Sequence, residues 1–204
     1  MFRDPRFSSL VALGACSSAA FYGYLAGVSL VFQKSGGLSP TAFSVVFTIN
    51  AAGMLASTQV NRRLLRRFTP RQLLGADLLV AAAGSLVAVG VSFTDPLNVV
   101  ALAASLFVAM AGIASLMPNA VALALALHPQ SAGSASSVYG ATGIVLGALA
   151  SPLIGAGGGG APAMTLLMGV ALVAALTVYT VGPRRYADAP EAAALEPLED
   201  VFQA

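Results

Sequence analysis

From Pro96 to Pro183 the chain runs for 88 residues without a single formal charge. A helix or strand at the surface of a water-soluble domain needs a polar face, so a stretch of this length can fold only where most of its surroundings are apolar. The rest of the chain points the same way. It has ten Lys plus Arg and eight Asp plus Glu in 204 residues, where a soluble domain is about one quarter charged. With a mean hydropathy of +0.84, too little polar surface is left to coat a globule. These features imply an integral membrane protein and exclude an ordinary soluble enzyme. The single Cys16 and single His128 provide neither an internal disulfide nor a zinc site. No basic stripe with interleaved aromatics suggests a nucleic-acid partner. No metal, no nucleic acid and no catalytic residue is expected; the partner is the lipid bilayer.

The charges and helix breakers divide the chain into six crossings. Phe7 to Gln33 and Ser35 to Asn61 are uncharged, each sufficient for a span of about 20 residues. A third runs from Gln72 to Thr94 and contains only Asp77. The long uncharged run is cut at His128-Pro129 and at the glycine run Gly157 to Gly160, because proline and clustered glycine break helices. The expected spans are 7–32, 40–65, 72–93, 97–126, 133–155 and 161–182. Residues 1–6 precede this 7–182 transmembrane domain, and an acidic tail, 183–204, is expected to be disordered. The apolar runs are continuous rather than alternating, which excludes a β-barrel and makes the fold all-α, a polytopic bundle.

Six crossings put both termini on one side. Arg3, Arg6, Arg62, Arg63, Arg66, Arg67, Arg71, Arg184 and Arg185 fall on that side and only Lys34 on the other. The positive-inside rule therefore places the termini and the arginine loop in the cytoplasm. Cys16, in Leu13-Gly14-Ala15-Cys16, has the outline of a lipoprotein cleavage site, but the apolar run continues to Phe32. A small thiol within a helix is the better reading.

Between lipid-embedded helices the attraction comes from close approach, so the small-residue pairs Gly23/Gly27 and Gly143/Gly147 mark packing faces. Polar groups at membrane depth must be paired or face water. Asn50, near the midplane, is the best cavity candidate, with an interhelical hydrogen bond as the alternative. Tyr22, Tyr24 and Tyr139 either line a pocket for flat or cationic molecules or simply pack. Asp77 is the one acid inside a span. It is either a structural ion pair with the adjoining arginines or a proton-coupling group. Pro118-Asn119 suggests a kink in the fourth helix.

Ser57-Thr58-Gln59-Val60-Asn61-Arg62-Arg63-Leu64-Leu65-Arg66-Arg67 resembles the cytoplasmic loop between the eighth and ninth helices of the Bcr/CflA subfamily of drug:proton antiporters, in the major facilitator superfamily. Met117-Pro118-Asn119-Ala120, His128-Pro129 with Ala132-Gly133-Ser134-Ala135-Ser136, and the opening Met1-Phe2-Arg3-Asp4-Pro5-Arg6-Phe7 resemble its tenth helix, the entry to its eleventh and the end of its central loop. The resemblance covers nearly the whole chain but only the C-terminal six helices of a twelve-helix family. It implies half of a major facilitator fold built from 3+3 inverted repeats. In that arrangement the first and fourth helices line the cavity, bringing Tyr22, Tyr24 and Asn119 toward it, with Asn50 and Tyr139 flanking.

The loop of Asn61, Arg62, Arg63, Arg66, Arg67 and Arg71 would act in gating as well as topology. With Asn61 standing where the stronger family copy has an aspartate, it is a weaker latch. The implied function is half-length multidrug efflux at the cell membrane, with drug-like small molecules as cargo, the proton gradient as energy source and no cofactor. It would need a complementary six-helix half or a homodimer. The alternatives are a truncated, non-transporting remnant and, remotely, an intramembrane enzyme using His128, for which no Gly-x-Ser-Gly elbow exists.

Overall fold

The computed structural model describes residues 4–95 and 98–182. Among these residues there are six long helices and no strand: α1 Pro5–Ser29, α2 Pro40–Leu64, α3 Pro70–Thr94, α4 Val99–Ala126, α5 Ala132–Ala156 and α6 Ala161–Val181. All six are long and apolar enough to cross a membrane; even the 21 residues of α6 extend about 31 Å, matching the roughly 30 Å hydrocarbon core. Arg3 and the acidic tail with Arg184 and Arg185 lie outside the described residues.

The helix starts are written in the local sequence. Asp4-Pro5, Ser39-Pro40 and Thr69-Pro70 each pair a capping side chain with a proline in the first turn. The caps accept from the backbone N–H groups of Arg6, Ala42 and Gln72, respectively. Thr69 and Gln72 form a reciprocal capping box, so two backbone donors that the first turn leaves free are satisfied. This starts α3 two residues ahead of the expected span. At its far end α1 runs on through a π-helical segment, Leu30–Ser35. A single 3₁₀ turn, Pro129–Ser131, joins α4 to α5. The α5–α6 connection turns on Gly158 and Gly159, whose φ values of +90° and +70° favour glycine.

Helices α1 and α4 are central. Helix α1 packs on α5 and α6, and α4 packs on α2 and α3; α3 also meets α6, and α1 meets α4. Exchanging the first three helices for the last three maps each of these relations onto its counterpart. Because α1 and α4 run in opposite directions, the relation is an inverted one. The α3–α4 crossing is the tightest. A Cβ on Gly84 would lie 2.6 Å from the Ala109 nitrogen and one on Gly112 would lie 2.6 Å from the Ala81 nitrogen, so each glycine admits the other helix's backbone. The singled-out glycines serve the other seams. Gly23 and Gly27 face Leu167 and Met164 of α6, and Gly143 and Gly147 face Ser18 and Tyr22 of α1.

The flanking helices are thinly covered. Only Asn50 and Asn61 of α2 are buried, while Val45, Ile49, Leu55 and Val60 are exposed on α2 and Ile144, Val145, Leu149 and Leu153 on α5.

Candidate functional site

Helix α2 touches the bundle along a stripe with helical spacing, and its polar members meet an equally spaced set on α4. Ser57 and Asn61 are four residues apart; so are Ser115 and Asn119. That spacing puts each pair on one helix face, one turn apart. Across the seam the Ser57 hydroxyl donates to the Ala111 carbonyl at 2.7 Å and is hydrogen-bonded to the Ser115 hydroxyl. One turn on, Nδ2 of Asn119 donates to Oδ1 of Asn61 at 3.0 Å, and Nδ2 of Asn61 returns the bond to Oδ1 of Asn119 at 3.2 Å. Asn61 also donates to the Ser115 carbonyl at 3.4 Å. That carbonyl neighbours the one at Ala114, which loses its helical donor to Pro118.

Asn119 then reaches a third helix, its Nδ2 donating to Oδ2 of Asp77 at 3.2 Å. Asn61 and Asn119 are 4% and 2% exposed, so the asparagine pair of this three-helix ladder is held out of water, while Asp77 is half-buried. The ladder's geometry corrects two expectations. Asp77 is not in an ion pair: no Lys or Arg among the described residues lies within salt-bridge distance, and its hydrogen-bond donor is Asn119. Arg62, Arg63, Arg66 and Arg67 precede α3 and are exposed, where hydration serves them better than a half-buried carboxylate. Nor does Asn119 line an open cavity, since its amide is spent on the two neighbouring helices. Asn61, placed at the head of the arginine loop by sequence, turns inward instead.

The remaining cavity candidates are not gathered in one pocket. Asn50 is buried with its Oδ1 unpartnered, beside a hollow of about 410 Å³ that it lines with Val46, Ile49, Ala103, Phe107 and Val108. Tyr24 is buried and stacks on Phe47 of α2, ring centroids 6.4 Å apart. Tyr22 and Tyr139 lie in the α1–α5 seam. Tyr22 packs over Gly147, and Tyr139 packs over Gly14 with its hydroxyl buried and unpartnered. Sequence reasoning missed Ser57, Ser115 and Phe47. The signal for the serines was present in the matched four-residue spacing to Asn61 and Asn119.

At the same end of the bundle, Arg62, Arg63, Arg66 and Arg67 are exposed, with Arg62 donating to Oε1 of Gln59 at 3.3 Å. His128 is near by, in the α4–α5 connection. Its Nε2 stands 3.4 Å from Oδ2 of Asp4, at ion-pair distance but without the alignment of a hydrogen bond. Phe7 meets the imidazole edge-on at 5.1 Å. These neighbours hold the ring against the start of α1 and place no serine hydroxyl on it.

The profile of the Major Facilitator Superfamily matches residues 2–203. The chain belongs to that superfamily. Members are membrane transporters, and the six spans make this one a multi-pass membrane protein of transporter type, with the α1–α4 core and its flanking pairs forming half of the superfamily's fold. Among curated proteins, none matches the chain.

Proposed function

We propose that this superfamily member is the C-terminal-type half of a Bcr/CflA-like drug:proton antiporter, working at the cell membrane with both termini cytoplasmic. The reading rests on one observation: α2 and α5 stand on opposite flanks of α1 and α4 with their outer faces uncovered. Alternating access in such folds needs two six-helix bodies rocking about a midplane site, and this chain supplies one wall. The buried, unpartnered amide oxygen of Asn50 at mid-depth offers cargo a polar contact in otherwise apolar surroundings, which suits drug-like molecules. Asp77, with an amide and, among the described residues, no cation as partner, is the residue that would carry a proton, and its bond to Asn119 would tie that proton to the α2–α4 seam. The facing body is a second six-helix half or a second copy of the chain.

The test is a dye-flux assay in proteoliposomes under an imposed pH gradient. The purified chain, reconstituted at one copy per vesicle, is expected to move no dye. Co-reconstitution with an N-terminal six-helix half, or loading at several copies per vesicle, is expected to restore flux. Uphill pumping by single copies would overturn the half-shell reading. No flux under any pairing would favour a non-transporting remnant.

A further inference from the structure

Charge is distributed unevenly in this chain. Five of its ten cations, Arg62, Arg63, Arg66, Arg67 and Arg71, sit between positions 62 and 71, and five of its eight acids, Asp188, Glu191, Glu196, Glu199 and Asp200, sit after position 187. The three other carboxylates are committed elsewhere. Asp4 caps α1 and faces His128, Asp77 is held by Asn119, and Asp95 closes the opposite end of α3. No described carboxylate lies within ion-pair distance of Arg62, Arg63, Arg66 or Arg67. Between these side chains are two shallow hollows, a polar one lined by Gln59, Arg62, Arg63 and Arg66 and a more apolar one lined by Arg63, Leu64, Arg66 and Arg67.

We infer that this arginine surface is the docking site for the chain's own acidic tail, residues 188–204. The end of α6 is fastened beside the loop. The Tyr179 hydroxyl donates to the Arg71 carbonyl at 3.2 Å and also fills the space over Gly75. Arg67 and Arg66 are four and five residues from Arg71, so no more than about 14 and 18 Å away. From Gly182 the chain can span at most about 22 Å by Asp188 and about 65 Å by Asp200. The acids therefore come within range of the loop without any movement of the helices. The tail's own cations, Arg184 and Arg185, stand at its base, leaving an acidic stretch with no opposing charge. Tethering holds its carboxylates near the arginines at roughly millimolar effective concentration, where several weak exposed pairs act together although each alone counts for little. The tail thus closes off the loop's cations intramolecularly, joining the end of α6 to the α2–α3 connection.

The test uses the full chain in phosphatidylcholine nanodiscs and compares it with a full-length variant carrying Asp188→Asn, Glu191→Gln, Glu196→Gln, Glu199→Gln and Asp200→Asn. Arginine modification by phenylglyoxal is followed by mass spectrometry at Arg62, Arg63, Arg66 and Arg67. Modification is expected to be about threefold to tenfold slower in the native chain than in the variant, with the difference gone in about 0.5 M salt, where screening is short-ranged. Equal rates in the two proteins at low salt would overturn the inference. Protection that appears only with phosphatidylglycerol, and equally in both proteins, would overturn it too, by assigning the surface to anionic lipid.

Discussion

The asparagine ladder gives the sharpest quantitative expectation. Replacing Asn119 by Leu removes two reciprocal bonds to Asn61 and the bond to Asp77. Hydrogen bonds between membrane helices contribute about 0.6 kcal/mol each on average and up to about 1.7, and those to a charged group about 1.5–3. The Asn119→Leu substitution should therefore cost about 3–4 kcal/mol. Asn61→Leu loses the same two reciprocal bonds and the long contact to the Ser115 carbonyl, for about 1–2 kcal/mol. In the double variant the two leucines face each other and no amide is orphaned. Beyond the shared reciprocal bonds, the double loses the Asp77 bond and the long Ser115 contact, so it should cost little more than Asn119→Leu alone. The coupling energy is then about 1–2 kcal/mol, measurable by reversible unfolding in mixed dodecyl maltoside and SDS micelles. If the two single effects add to within about 0.5 kcal/mol, as independent sites do, the ladder is not a coupled unit and the reasoning fails.

Three further expectations follow from particular contacts. Gly112→Ala places a methyl against the backbone of Ala81 and Asp77, where no side chain can swing aside. The helices must separate, at a cost of about 1–3 kcal/mol in the same assay, whereas Gly133→Ala, which meets nothing, should change stability by less than about 0.5 kcal/mol. Tyr139→Phe removes a buried hydroxyl that has no partner and should be neutral to mildly stabilising by thermal denaturation. A loss above about 1 kcal/mol would mean that the hydroxyl holds something, a pocket water or cargo among the candidates. Thr69→Ala breaks the capping box at the start of α3 and should lower stability by about 1 kcal/mol; a Thr69→Ser variant that keeps the cap should recover most of it.

The all-helical class and the number of apolar helices were legible because membrane insertion reads length and charge, which are one-dimensional quantities. Capping is just as local, since Asp4-Pro5, Ser39-Pro40 and Thr69-Pro70 act within a single turn, but the expected spans made no use of it. The partners of the polar groups were not legible. Asp77 is six residues beyond the nearest preceding charge, Arg71, and proximity along the chain suggested an ion pair. The fold instead rotates the carboxylate toward Asn119, 42 positions away. Likewise, the tyrosines of α1 are separated by only one residue, yet helical geometry turns Tyr22 into the α5 seam and Tyr24 onto Phe47 of α2.

What the sequence by itself determined is that this polypeptide lives in lipid as six helices, with five of its ten cations between positions 62 and 71. Burying 88 consecutive uncharged residues leaves no other solvent, and charges cross a bilayer only at high cost. Which helices touch was decided by the tertiary structure alone, because in lipid the attraction between helices is close packing rather than burial from water. Glycines at Gly84 and Gly112 could bring two backbones together only once α3 and α4 lay side by side. The same choice of neighbours made Asn61, Asn119 and Asp77 a single ladder and left the outer faces of α2 and α5 uncovered.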